Sequence, residues 1–410
     1  VSTGIEPFTV AIVDDVLGDL AERLRHTRWP DQLAGSAWEY GTDLDYLQDL
    51  AGYWAEAFDW RAVEHRINGW PQGVATIDGQ AIHFIHARAG SANALPLLVL
   101  HGWPGSIIEM LEVIEPSRHG GSEAGSPGDD FHVVCVSLPG FGFSGPTSEP
   151  GWHPRRIAAA MVELMGRLGY PRFATLGGDW GATVSNYIGL DFPAHLYGMY
   201  LTMVAAGPPE GADGSELRHT EREWVAANAA FFAEESGYLQ LQATRPQTLA
   251  YGLTDSPTGL AAWIVEKFRA WSDCGGDLES AISRDAILAN VTLYWVTGTA
   301  NSSARIYLEA MRGGQMVTDR FAHQCSHGLR HLPQGDREIA ARLGRAGLGR
   351  AALDGHATGW PFPLARGPRS PRLRCPGFLP GTTPVRSSPG TDVHRPRFSR
   401  WSGRRVSPSP

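Results

Sequence analysis

The stretch TLGGDWGATVSNYIGL, Thr175–Leu190, joins an apolar strand to what reads as an amphipathic helix. At its centre Gly177-Gly178-Asp179-Trp180-Gly181 sets small residues on both sides of an acid. Small flanking residues let the backbone turn sharply from strand to helix, and the side chain between them projects into the crevice at the helix N-terminus. This is the shape of a nucleophile elbow, with Asp where hydrolases usually carry Ser. The positive end of the helix dipole favours an ionised carboxylate there, available as a nucleophile. The same pentad also describes an Asp that merely caps the helix, the commoner use of Asp at such a position.

The surroundings extend the strand–helix reading in both directions. LPLLVL (Leu95–Leu100) and FHVVCVSL (Phe131–Leu138) are short apolar runs of the kind buried in parallel sheets. Pro154–Leu168 has a helical period, RFATL is a further strand, and LYGMYLTMV is a candidate for the next. Strands alternating with helices predict an α/β doubly wound sheet. Ahead of it, VDDVLGDLAERLRHTRWP and YLQDLAGYWAEAFDWRAVEHRIN read as helices, and IDGQAIHFIHA as a hairpin turning at Asp78-Gly79. From Gly207 to about Arg312 the pattern is helical throughout, which predicts a lid above the strand ends. The turn His101-Gly102-Trp103-Pro104-Gly105-Ser106 directly follows LPLLVL. Such a turn can aim a backbone N–H across the sheet end, so Trp103 and Trp180 are candidate donors to an oxyanion. The plainer alternative is an ordinary Pro-Gly turn with His101 bonded to a loop.

The chain has 410 residues and a formal net charge of −8, which argues against a nucleic-acid or anionic-membrane partner. No apolar run reaches the roughly 18 residues that a membrane-spanning helix needs. The first residues, VSTGIEPFTV, lack a basic stretch followed by an apolar one, so no secretory leader is expected. Cys135, Cys274, Cys325 and Cys375 have no metal-ligand or disulfide spacing, which predicts free thiols and a cytoplasmic location. The composition breaks near Arg320: residues 321–410 hold 15 Arg against 4 acidic residues, and 12 of the 29 prolines. That composition predicts a disordered basic tail over 320–410.

The order of motifs resembles an epoxide hydrolase of the microsomal type, within the α/β-hydrolase superfamily. The similar features are RWP (Arg28–Pro30), YW (Tyr53-Trp54), FDWRAVEHRIN, IDGQAIHFIHA, HGWPGS, LPGFGFSG (Leu138–Gly145), GGDWGA, TDSPTGLAAWIVEKF and NVTLYWVTGT followed by SSARIYLE. They run in order over about three quarters of the chain. The resemblance implies an N-terminal region over 1–90, a core over 91–206 and a helical lid over 207–312. It also implies that a small apolar epoxide is hydrolysed to a vicinal diol, with water and without cofactor or metal. Asp179 matches the nucleophile that forms an alkyl ester. Tyr238 and Tyr307 match the lid tyrosines that protonate the epoxide oxygen, and Tyr251 and Tyr294 are expected to be packing aromatics. A phenol suits that role, because it can deliver a proton to an alkoxide without being ionised at neutral pH. A haloalkane dehalogenase, which uses the same Asp ester, and a catalytically inactive homologue are the alternatives.

Hydrolysis of an alkyl ester requires a water activated by His, itself oriented by an acid. The family carries these in segments resembling VPTGVAVFPKE and RGGHFAALEEP, and neither occurs in this sequence. His323, His327, His331, His356 and His394 lie in the tail without those flanking residues. With GC-rich codons chosen within codon degeneracy, a shift of one nucleotide lets CSHGLRHLPQGDRE (Cys325–Glu338) read VPTACGIFPKEIV. The same shift lets DGHATGWPFPLARGP (Asp354–Pro368) read TAMPRGGHFPLLED. The sequence therefore predicts that the acid and base are encoded but leave the reading frame between about Asp319 and Cys325, and that this chain is impaired in ester hydrolysis.

Overall fold

The computed structural model describes residues 4–119, 130–203 and 219–316. The tail expected over 320–410, with its five histidines, lies outside the described residues.

The N-terminal part begins with a short strand β1 (Ile5–Pro7) and the helices α1 (Asp14–Arg25), α2 (Leu44–Glu56) and α3 (Trp60–Asn68). The second helical stretch of the sequence is thus two helices. The apolar period runs on through Trp54 and Phe58, but Asp59 turns extended and accepts the Arg61 N–H, starting a new helix. The hairpin β2 (Gln72–Ile77) and β3 (Gln80–Ala87) turns at Asp78-Gly79 as expected, both residues having positive φ. β4 (Leu95–Leu100), α4 (Ile107–Arg118), β5 (Phe131–Val136), α5 (Pro154–Arg167), β6 (Phe173–Gly177), α6 (Trp180–Asp191) and β7 (Leu196–Leu201) follow. Then come the helices α7 (His219–Glu235), α8 (Gly237–Thr244), α9 (Pro246–Asp255), α10 (Pro257–Trp271), α11 (Arg284–Thr297) and α12 (Ala300–Arg312).

The seven strands form one mixed sheet in the order β1-β2-β3-β5-β4-β6-β7. β5, β4, β6 and β7 are parallel, while the N-terminal strands and the β3–β5 pairing are antiparallel. Both faces of the central strands are covered, which is why their sequences are continuously apolar. Leu98, Leu100, Val134 and Val136 join one core with α5 and α6; Leu97, Val99, Val133 and Cys135 join the other with α4. α6 was expected to be amphipathic; instead it is buried on every side from Trp180 to Ile188.

Two features of this topology place the site. The connection after β4 leads to β5 on one side, and the connection after β5 crosses back to β6 on the other. The crevice at the C-terminal ends of β4 and β6 is therefore a topological switch point, where α/β sheets bind ligands. The N-terminal helices also brace the helices that follow the sheet. Trp54 Nε1 donates to Thr292 Oγ1 at 2.9 Å, Tyr53 donates to Asp285 at 2.8 Å, and Arg284 pairs with Asp49 at 2.8 Å.

Candidate active site

Leu100 and Gly177 are register partners at the ends of β4 and β6, so the turn after each strand lies beside the other. Asp179 sits on the second turn at φ 48° and ψ −123°. A non-glycine residue there costs about 1–3 kcal/mol of backbone strain, which the packing must hold. The glycines of the pentad make that packing possible. A Cβ on Gly181 would overlap the Leu100 carbonyl oxygen, and one on Gly177 would overlap the Gly181 carbonyl oxygen. A Cβ on Gly102 would overlap the Asp179 carboxylate itself.

In this conformation Asp179 does not act as a helix cap. The Asp179 side chain makes no capping hydrogen bond to α6. Instead its Oδ1 accepts the Trp103 backbone N–H at 2.8 Å, and the Trp180 backbone N–H is a second donor to the carboxylate. The two donors expected from the sequence therefore converge on the acid. Burial pushes the Asp179 carboxyl up to about 6, against the two N–H groups that favour its charged form. The helix terminus alone led to the expectation of a readily ionised group, and burial outweighs it. Asp179 remains ionised at neutral pH.

The turn carrying Trp103 is locked from behind. His101 is 1% exposed; its Nε2 accepts the Leu138 N–H at 3.2 Å, so Nδ1 carries the proton and donates to the Gly102 carbonyl at 3.0 Å. Burial pushes this imidazole down to about 4, and it stays neutral. Asn290 donates to the Pro104 carbonyl at 2.8 Å and Tyr294 to the Gly105 carbonyl at 2.7 Å. Tyr294 is the buried aromatic expected, with an added task in holding this turn. Tyr251 does not pack as expected: it is 72% exposed.

α8 and α12 place Tyr238 and Tyr307 against the two tryptophans. Tyr238 stacks on Trp103 with ring centroids 5.1 Å apart, and Tyr307 meets Trp180 edge-on at 4.8 Å. The tyrosine rings are 5.7 Å apart, and Trp271 closes the group 5.0 Å from Tyr238. Burial, together with the Asp179 charge, raises both phenols, so each keeps its proton. The Tyr307 hydroxyl and the Trp180 indole N–H are both buried, and Tyr307 has Trp180 and Tyr238 as its polar neighbours. Two protonated phenols thus stand in an aromatic box beside one charged carboxylate, an arrangement able to take an apolar ligand with one oxygen acceptor.

Sequence reasoning missed Lys267, the only lysine of the chain, and Glu109. Lys267 lies 5.3 Å from the Tyr238 ring centre and pairs with Glu235 at 2.9 Å and Glu266 at 2.7 Å. Glu109, in the first turn of α4, is raised well above the usual carboxylate range by burial and by the Asp179 charge. Its position three residues after Ser106 matches a helix-capping pattern, and this masks it in the sequence. Among the described residues no His, Cys, Asp and Glu side chains group into a metal site, and no helix is long and apolar enough to cross a membrane. Cys135 and Cys274 are free thiols, and Cys325 and Cys375 lie outside the described residues.

An acid on a strand–turn–helix elbow, at the switch point of a largely parallel sheet and beneath a helical cover, defines the α/β-hydrolase fold. Family models agree with this. "Epoxide hydrolase N terminus" matches residues 5–110 and "alpha/beta hydrolase fold" matches residues 96–248. A putative epoxide hydrolase of Stigmatella aurantiaca is 47% identical over 310 residues, covering 75% of this chain and 69% of the relative. Epoxide hydrolase 1 of Oryctolagus cuniculus is 34% identical over 359 residues, covering 81% and 77%. Among solved structures, juvenile hormone epoxide hydrolase from the silkworm Bombyx mori superposes with a TM-score of 0.65 at 31% identity, covering 77% of this chain and 78% of that one. Aspergillus niger epoxide hydrolase gives 0.66 at 31% identity, covering 75% and 79%. The chain belongs to the epoxide hydrolase family and is a hydrolase by that membership.

Proposed function

We propose that the protein opens an epoxide by attack of the Asp179 carboxylate on a ring carbon. One carboxylate oxygen forms the new C–O bond while the ring C–O bond breaks, and Tyr238 or Tyr307 gives its proton to the departing oxygen. A carboxylate needs no base for this step, because it attacks an sp³ carbon with charge it already carries. The product is an alkyl ester whose carbonyl oxygen remains beside the Trp103 and Trp180 N–H groups. Water adding to that carbonyl generates an oxyanion that the same two donors stabilise, so one arrangement serves both half-reactions. The substrate is a small apolar epoxide and the product a vicinal diol. The N-terminal region is assigned to 1–90, the core to 91–206 and the lid to 207–312.

The observation that carries this reading is the Asp179 Oδ1–Trp103 N–H hydrogen bond of 2.8 Å, in place of a helix cap. The buried indole N–H of Trp180 beside the elbow supports a second reading, haloalkane dehalogenation, in which such a donor holds the halide. The two phenols favour the epoxide, since an alkoxide must be protonated and a halide need not be. The His and acid motifs of the family are missing from the sequence, and among the described residues no His–carboxylate pair adjoins Asp179. The ester is therefore expected to outlast its formation, with slow turnover. Incubation of the full chain with styrene oxide and, separately, with a chloroalkane tests the reading. Alkylated enzyme or diol from the epoxide alone supports it, and halide release with neither product from the epoxide overturns it.

A further inference from the structure

We infer that Lys267 is the positioning residue for the proton donor Tyr238, holding that phenol against Trp103 by its ring and by the segment of chain that leads to it. This rests on the ester reading above and concerns its first half.

The two phenols are anchored unequally. Tyr307 lies in the middle of α12 and is 2% exposed. Tyr238 is the second residue of the short helix α8, is only partly buried, and follows an N-cap, Ser236, whose side chain makes no capping hydrogen bond. An uncapped first turn leaves backbone N–H groups without partners and is the loosest part of a helix. Such a helix end does not by itself fix where a phenol points.

Lys267, on α10, supplies the hold. Its ammonium stands over the Tyr238 ring, 5.3 Å from the centre, and pairs at 2.9 Å with Glu235, three residues ahead of that tyrosine. One cation thus grips both ends of the segment Glu235–Tyr238. The same ammonium lies 5.7 Å from the ring centre of Trp271, which meets Tyr238 at 5.0 Å and 64°, and it pairs with Glu266 at 2.7 Å. A cation within about 6 Å of an aromatic face is attracted by the ring quadrupole, and more strongly when water is excluded. Lys267 is 7% exposed, so little water competes.

What Lys267 holds is in register with the elbow. The Tyr238 ring stacks on Trp103 with planes 6° apart, and the Trp103 backbone N–H binds Asp179 Oδ1 at 2.8 Å. The ammonium faces two carboxylates, which offset its charge. It therefore acts on where the phenol stands, through the ring, and touches neither epoxide nor carboxylate itself. Proton transfer depends steeply on that placement.

The test follows adduct formation on the full chain with styrene oxide, by intact mass over a range of epoxide concentrations. Lys267→Met keeps the apolar stem and leaves Glu235 and Glu266, whose side chains are 26% and 28% exposed, in reach of water. The variant should fold, and urea unfolding checks it. In a Tyr307→Phe background, where Tyr238 is the remaining donor, Lys267→Met should slow the limiting rate roughly 10-fold further while the half-saturating concentration moves less than about twofold. Lys267→Arg, which keeps the cation, should recover part of that rate. In a Tyr238→Phe background, where Tyr307 gives the proton, Lys267→Met should change the limiting rate less than about twofold. Glu235→Gln frees the segment but leaves the cation over the ring, and should show the same dependence on background at smaller size. The inference is overturned if either variant slows both backgrounds equally, as a general packing role would, or if neither slows the Tyr307→Phe protein. Absence of any adduct on the wild type defeats the Asp179 ester itself, a different failure.

Discussion

Replacing Asp179 by Asn removes the charge of the elbow and keeps its shape. In the folded protein the carboxyl titrates at about 6 instead of 3.8, because burial outweighs the two N–H donors. Between those pH values the folded state holds a proton that the unfolded state has released. This group's contribution to stability is therefore full below pH 4 and is lost as pH rises through 6. A displacement of about two pH units corresponds to roughly 3 kcal/mol. Asn does not titrate, so the stability of Asp179→Asn relative to wild type should climb by up to that amount between pH 4 and pH 7. Urea unfolding of both proteins at steps across this range measures it. The difference curve cancels the ordinary titrations and any fixed cost of the amide, and includes the change at Glu109, which responds to the same charge. A flat difference curve would refute the claim that burial governs this carboxyl. The variant should also form no covalent adduct with an epoxide at any pH.

Tyr307→Phe removes one of two proton donors, and adduct formation should slow by roughly 100-fold with the fold intact, as measured by stopped incubations and intact mass. Gly181→Ala drives a methyl into the Leu100 carbonyl and should lose about 3 kcal/mol or fail to fold, read by urea unfolding. Tyr294→Phe leaves the Gly105 carbonyl without its buried donor and should cost about 1–3 kcal/mol. The loosened turn should slow adduct formation as well, and an unchanged rate would show that Tyr294 packs without positioning.

The elbow was legible because its demands are steric: only small residues permit the approach of Leu100 and Gly181, and only glycines bracket the acid in the required way. The central strands were legible because burial on both faces leaves no polar positions. The break at Asp59 was not, since the apolar period of α2 runs straight into α3 and a single cap decides it. α4 and the short β1 also escaped notice, α4 because its apolar residues merge with the turn before it and Pro116 lies inside it. Of the site, the donors of Trp103 and Trp180 followed from the two turns. Tyr238 could be chosen over Tyr251 only by resemblance, because helix α8 and helix α9 have similar composition and spacing does not say which faces the elbow. The course of the Glu109 side chain past Gly105 was hidden by a spacing that ordinarily means a helix cap.

In the proposed reaction a carboxylate oxygen of Asp179 attacks the epoxide. Full-length protein incubated with styrene oxide, digested and analysed by mass spectrometry, should carry the mass of one epoxide on the peptide containing Gly177–Gly181, located at Asp179 and missing from Asp179→Asn. An adduct placed on any other residue, or an unmodified elbow peptide from a protein that makes diol, would contradict it.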